Sequence, residues 1–368
     1  MHPRASEQFD PRATPYLDTA SYGLPPASTI EVLEDALRTW QRGTADWIRD
    51  WDPAGDRCRP LAAQLLGSRP EEVALLPAVS VGVGVALSML SPGDEILIPD
   101  DEFASVLLPA LVAAERGGLR VRRVPFAALA DSIHIDTALV MTSHVRSNDG
   151  GVQDLGVLAA RAHDVGAKVL VDATHSAGIL PIDASDLGLD VVLAAAYKHL
   201  LCPRGVALMS VASDLTSSLA PWAASWRSAG EPYDHYYGGD LSVLAATAAR
   251  FDVSLAWHAW IGAEKSLEFL CSVPMAERTG WCVGLADHLA ARLGLTPTGS
   301  SILAIPLVRP ERARAALKEV GITTSGRGPR IRASFHLYND MSEANLIAEV
   351  IQPFVDSRDS HQLGVRTP

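Results

Sequence analysis

The sequence has no long hydrophobic run. None of its 368 residues lies in an apolar stretch of about 18 or more, so no membrane-spanning helix is expected. The opening stretch, MHPRASEQFDPRATP, lacks the apolar core of a secretion signal. Cysteine is scarce. Cys58, Cys202, Cys271 and Cys282 show neither CxxC nor zinc-finger spacing, which predicts a reduced, cytoplasmic protein without structural zinc. Positive charge is not in excess either. The net charge is −12, which argues against nucleic acid or an anionic membrane as the main partner, although a local basic cleft stays compatible with it. No GxSxG elbow, HExxH pair or clustered carboxylate set occurs, so neither a serine hydrolase nor a metal site is expected. Repeats and low-complexity linkers are absent.

Lysine is scarce as well. Only four of the 31 basic residues are lysines: Lys168, Lys198, Lys265 and Lys318. Three sit in polar, helix-like or turn-like surroundings. Lys198 instead follows VVLAAA, which reads as a buried strand. Burying an unpaired ammonium is costly, and the usual escape is a lowered pKa. A neutral amine beside a cleft is a nucleophile, so Lys198 is a candidate holder of a carbonyl cofactor.

What the chain does have is alternation. Helical patterns over 31–41, 56–66, 104–116 and 154–166 interleave with strand candidates at 73–77, 95–99, 119–126, 138–145, 168–173, 191–196 and 206–211. The stretch SVGVGVALSML reads as a glycine-containing helix start. Such alternation predicts βαβ units and a mostly parallel sheet. After about residue 241 the pattern turns helix-rich, with short strands near 302–308 and 330–334 and helices near 312–319 and 342–351. That half reads as α+β. We expect a large domain over 12–245 and a small one over 246–368, with 1–11 packing on the latter. The boundary is expected within a long helix near 245–270.

In VLVDATHSAG, Asp172 ends an apolar strand, and open α/β sheets bind ligands at the carboxyl ends of their strands. A carboxylate there can pair with a cationic ring nitrogen and make that ring an electron sink. Taken alone, Asp172 reads as a turn or N-cap residue. His175 and the downstream Lys198, itself followed by PRG, change that balance.

The combination DATHSAG…DLGLD…AAAYKHLLCPRGVALMSV resembles the core of class V aminotransferase-fold enzymes, which use pyridoxal 5′-phosphate (PLP). The likeness runs over most of the chain, with YLDTASYGLPP near the start and IRASFHLYND near the end. It implies the PLP-dependent transferase fold type I, an α/β large domain with a mostly parallel seven-stranded sheet and a small C-terminal α+β domain. It also implies roles. Lys198 would carry the cofactor as a Schiff base and later move a proton. Asp172 would bind the pyridine nitrogen, His175 would lie beside the phenolic oxygen, and Phe103 would stack on the ring. PAVSVGVG matches the phosphate loop, where free N–H groups and the helix dipole attract a dianion. There Ser80 would supply a hydroxyl and Val79 a backbone N–H. The third glycine of a dinucleotide fingerprint is missing, since Leu87 stands in its place. Tyr197 occupies a position that often holds a phosphate-binding histidine, and Ala195 replaces a serine found in desulfurases. In HVRSNDGG, Ser147 stands where desulfurases have asparagine and looks more like the epimerase and lyase branches. His144 either contacts cofactor or substrate or caps its strand. Arg332 matches the arginine that grips the substrate carboxylate, a task suited to its planar fork, and Arg330 is a second candidate on the same strand face. In WRSAGEPYDHYYGGD, Gly239 stands near a position where the family has a threonine reaching the neighbouring subunit's phosphate. Tyr236 and Tyr237 either line the site or pack at an interface. Active sites built at a two-fold interface imply a homodimer.

Desulfurases carry a persulfide-forming cysteine just before the carboxylate arginine. Here that stretch is GITTSGRGPRIR, without cysteine, which disfavours a protein persulfide. The resemblance to the isopenicillin N epimerase and cysteine-conjugate lyase branch leads to β-elimination on a cysteine S-conjugate as the first reading. Decarboxylating oxidative deamination of such a conjugate, amino-acid epimerisation, and a catalytically silent binding or regulatory partner are the alternatives.

Overall fold

The computed structural model describes residues 1–10 and 14–356. Residue 11 of the expected N-terminal segment and residues 357–368 of the expected small domain lie outside them. Seven strands form the main sheet: β1 (Val73–Leu76), β2 (Glu95–Pro99), β3 (Arg120–Val124), β4 (Thr137–Ser143), β5 (Lys168–Asp172), β6 (Val191–Ala195) and β7 (Ala207–Val211). Their order is β1-β7-β6-β5-β4-β2-β3. Six strands run one way; β7 alone is antiparallel to both its neighbours. The sheet is therefore α/β and mostly parallel.

The middles of its central strands are apolar because helices and loops cover both faces. β1, β2 and β7 are buried along their whole length. The edge strand β3 reads RVRRV and is half exposed. Its arginines keep that edge from pairing with another chain.

The helices around this sheet are α1 (Ala27–Arg42), α2 (Pro53–Leu66), α3 (Val79–Ala86), α4 (Ala104–Gly117), α5 (Leu155–Asp164) and α6 (Trp257–Ser272). Gly43 ends α1 in the left-handed conformation, and Asp154 caps α5 by accepting from Val157 N at 3.0 Å. A second sheet, in the order β8-β10-β9, joins β8 (Ile302–Pro306), β9 (Ser325–Arg327) and β10 (Arg330–Ser334). It packs with α7 (Met275–Leu293), α8 (Pro310–Glu319) and α9 (Met341–Ile351) around a separate apolar cluster that includes Leu289, Ile305, Ile331 and Ile347. The polar strand β9 has no apolar alternation to reveal it in the sequence.

A single long helix over 245–270 does not form. Only one short turn (Ala248–Phe251) precedes α6. The reason is Asp252, which is fully buried in an extended conformation, pairs with Arg59 and accepts from Leu75 N at 2.9 Å. Helical backbone cannot continue through a residue held that way. The helix that follows, α6, packs on α1 and α2. We propose that the domain division falls between α6 and α7 rather than at 245/246.

The N-terminal segment lies along the second sheet and its helices. His2 N donates to Leu337 O at 2.8 Å, and its ring meets Trp281 edge-on. Farther along, Leu17 N donates to Thr323 O at 2.9 Å, and Leu17 O accepts from Ser334 N at 2.8 Å. This pairing carries Asp18–Gly23 past β10 and on to the turn at Lys198.

Candidate active site

The carboxyl ends of β1, β2, β4, β5 and β6 and the start of β7 meet at one edge of the main sheet. A cavity of about 190 Å³ opens there, lined by Val79, Phe103, Ser143, Asp172, Thr174, His175, Tyr197, Lys198 and Arg204 among others. Six residues singled out in the sequence thus come together: Lys198, Asp172, His175, Phe103, Tyr197 and Val79.

Lys198 is 5 % exposed. Its Nζ is 3.2 Å from His175 Nε2 and 5.0 Å from the centroid of the Phe103 ring. The turn that presents it is tight. Leu201 N donates to Lys198 O at 3.1 Å, and Leu201 sits at φ 58, the one non-glycine residue with positive φ among those described. A branched or bulky side chain in that region is strained, and the strain persists because the surroundings over-determine it. Gly23 donates from its N–H to Tyr197 O at 2.9 Å, and a Cβ on Gly23 would collide with the Lys198 carbonyl and the Leu201 side chain. Only glycine permits so close an approach.

Asp172 is buried at the end of β5. Its Oδ1 accepts from Thr174 N at 2.9 Å and from Thr174 Oγ1 at 2.5 Å. Burial pushes the carboxyl up from its ordinary value, while the Thr174 bonds and the Lys198 charge pull the other way. A cationic ring nitrogen at this position would hold it ionised. Thr174 Oγ1 in turn accepts from Ala195 N at 2.9 Å, tying β5 to β6 at the site.

Val79 is the first residue of α3, whose N-cap, Ala78, offers no side-chain bond. Its first N–H groups therefore point out of the helix without a capping oxygen. Ser80 is exposed and does not line the cavity.

Arg332 is fully buried on β10, away from the cavity lining. Its guanidinium donates to Ser325 Oγ (3.0 Å), Ser147 O (2.7 Å), Ser147 Oγ (3.0 Å) and Ser21 Oγ (3.0 Å), and lies 3.4 Å from Asp18 Oδ1. Ser147 thus sits on Arg332, not beside Lys198. Arg330 is half-buried on the same strand and lines no part of the cavity. His144 is buried outside the lining. Its N–H donates to Asp172 O at 3.0 Å, and burial lowers its imidazole to about 4.

Tyr236 packs on Trp226 and Trp47, and Tyr237 is 97 % exposed. Neither they nor Gly239 line the cavity within this chain.

Several neighbours carried no sequence signal. Glu102 is buried and accepts from Phe103 N at 2.7 Å, Ser143 N at 2.7 Å and Ser143 Oγ at 2.6 Å. It fixes the Phe103 backbone to the end of β4, yet in DDEF it reads as one more solvated acid. Burial and the Asp172 charge raise its carboxyl. Thr174, Ser21 and Ser325 were equally silent, since hydroxyls in loops are common, and Arg204 entered only as part of the PRG that follows Lys198. A larger cleft of about 810 Å³ lies at the opposite sheet edge, but its charges are paired internally, as in Lys168–Asp190 at 2.9 Å and Arg69–Glu72 at 2.7 Å. No group of three or more His, Cys, Asp or Glu side chains is placed to hold a metal, and no helix is long and apolar enough to cross a membrane, among the described residues.

An amine, a carboxylate, an aromatic face and an uncapped helix start around one cavity define a site for a carbonyl-bearing, phosphorylated aromatic ring. Residues 57–306 match the family model described as aminotransferase class-V, and the chain belongs to that family. The "Uncharacterized aminotransferase YcbU" of Bacillus subtilis is 28 % identical over 300 residues, covering 76 % of this chain and 78 % of that protein. Isopenicillin N epimerase of Amycolatopsis lactamdurans is 26 % identical and covers 95 % of this chain and 97 % of its own. Among solved structures, a complex of the cystine C-S lyase C-DES superposes with a TM-score of 0.84 at 22 % identity, covering 94 % of this chain and 98 % of that one. The protein is a class V enzyme that acts on amino acids with PLP, and the residues of the cavity fit that cofactor.

Proposed function

We propose that the protein is a C–S lyase that performs β-elimination on a cysteine S-conjugate in a small-molecule biosynthetic pathway. Lys198 would hold the cofactor covalently, Asp172 would pair with its ring nitrogen, Phe103 and His175 would line its place, and the first N–H groups of α3 at Val79 and Ser80 would serve its phosphate. When bound, the cofactor supplies an electron sink for the pair left at Cα. Arg332 takes the substrate carboxylate. Its present partners there are mostly neutral serine hydroxyls, which a carboxylate can displace without leaving a buried charge unpaired. Lys198 would move the Cα proton. His175, at hydrogen-bond distance, orients that amine. The C–S bond breaks with its electron pair on sulfur, which departs as a thiol, and hydrolysis of the remainder gives pyruvate and ammonia.

The observation that supports this reading over a desulfurase with a protein persulfide is the state of the thiols. None of the four cysteines lines the cavity, and burial raises the pKa of each. A sulfur leaving the substrate therefore meets no protein thiolate to receive it. Exposed Tyr237, Trp222 and Leu241 support a homodimer, because a second copy would cover them. We also propose a cytoplasmic location, in keeping with four unpaired thiols.

The test is a product analysis of PLP-loaded enzyme given a bulky cysteine S-conjugate in aerobic buffer. Pyruvate, ammonia and free thiol are expected, and Lys198→Ala should abolish both turnover and the yellow colour of bound cofactor. An S-linked aldehyde with carbon dioxide would move the reaction to the Cα–carboxylate bond. An inverted α-carbon would make the enzyme an epimerase. Full activity in Lys198→Ala would end the reading.

A further inference from the structure

We propose that Arg204 is the side chain that grips the cofactor phosphate in this protein. The inference rests on the cofactor placement above and goes beyond it.

The phosphate end of the cavity has few side chains to offer. Ala195 ends β6 with a methyl group, Tyr197 presents a ring, and Ser80 is not part of the lining. A dianion held only by uncapped N–H groups would lack a cation. Arg204 lines this cavity. The sheet register puts it at the correct end. Ala207, at the start of β7, pairs with Leu76 of β1 on one side and Ala195 of β6 on the other. Val206 O accepts from Ala196 N at 3.0 Å. The residues just before β7, Arg204 and Gly205, therefore stand beside Pro77–Val79, where α3 begins. Asp172 lies on β5, two strands from β7, or about 10 Å at the usual strand spacing. Around the cavity the order is carboxylate, amine, guanidinium. The guanidinium thus lies on the far side of the amine from the carboxylate, as suits a ring whose phosphate arm sits on the carbon next to the one bearing the carbonyl and meta to the ring nitrogen.

The guanidinium is also available. Its carbon lies 4.9 Å from the centroid of the Tyr197 ring, and it makes no hydrogen bond or ion pair with another described residue. Stacking on an aromatic face fixes the guanidinium plane and leaves its N–H edge open. An open, planar, two-pronged edge is the geometry that binds a phosphate. Tyr197, at a position that often holds a phosphate-binding histidine in related enzymes, would act here through Arg204 as its platform.

The test compares PLP with pyridoxal, which lacks the phosphate. Affinities of both are measured by equilibrium dialysis against cofactor-free full-length wild type and Arg204→Gln. Arg204 is exposed, so the substitution leaves the core intact. Arg204→Gln is expected to weaken PLP by at least about tenfold while leaving pyridoxal within about twofold. An unchanged PLP-to-pyridoxal ratio would overturn the Arg204 assignment and leave the cofactor reading standing. A wild type that takes up neither molecule would overturn both.

Discussion

Lowering the pH from 7 to 5 should destabilise the folded protein, and one residue allows the size of the effect to be checked. His336 is fully buried, donates from Nε2 to His199 O at 3.0 Å and stacks on Tyr338. Burial, with the positive charge of Arg278 acting the same way, lowers its pKa from 6.5 to about 4. In the unfolded chain it would titrate near 6.5. Between those two values the unfolded chain binds a proton that the folded protein refuses, so falling pH favours unfolding. Above pH 6.5 neither form is charged and nothing is lost; below about 4 the loss is complete. Over pH 7 to 5 the linkage for one such histidine comes to about 2 kcal/mol. His144, also lowered to about 4, and His199, lowered well below its ordinary value by burial, add to the trend. The raised carboxyls of Glu102, Asp172 and Asp252 oppose it. Those opposing groups cancel in a difference. We therefore compare urea unfolding of wild type and His336→Gln at pH 7, 6 and 5, at fixed protein and cofactor concentration. The glutamine keeps a donor for the His199 carbonyl and does not titrate. Its loss of stability from pH 7 to 5 should be about 2 kcal/mol smaller than that of wild type. Equal losses would show that His336 accepts a proton in the folded state, and the reasoning from burial would be refuted.

Two further outcomes follow from the site. Arg332→Lys keeps the charge beside Asp18 but cannot span Ser21, Ser147 and Ser325. It should raise the KM for amino-acid substrate by about a hundredfold while PLP stays bound; loss of cofactor instead would show that Arg332 serves the cofactor. Gly23→Ala forces a methyl group against the Lys198 carbonyl, an overpacking cost of about 1–3 kcal/mol. It should lower both the melting temperature and the yellow absorbance of lysine-bound cofactor, and a variant that matched wild type in both would mean the close approach does not position Lys198.

Much of the fold is legible in the sequence. The strand candidates at 95–99, 168–173 and 191–196 fall on β2, β5 and β6 because strands buried on both faces must be apolar throughout. A lysine after such a run stood out for the same reason, since a charge at the end of a buried strand needs an explanation. The polar strand β9 and the break before α6 were not legible. The first pairs through backbone groups that every residue has, and the second depends on Asp252 meeting Arg59, which is distant in sequence.

The sequence by itself determined the mostly parallel sheet and the family, and it singled out Lys198, Asp172, His175 and Arg332 as candidates, because local apolar patterning and short motifs are written in neighbouring residues. Tertiary structure alone decided what surrounds them. It put Ser147 on Arg332, Glu102 on Ser143, Gly23 against Lys198 and Arg204 beside the start of α3. Those contacts join residues from different elements, in several cases far apart in the chain. Their partners are chosen by how the sheet orders its strands and by where the N-terminal segment crosses it, and no local pattern encodes that.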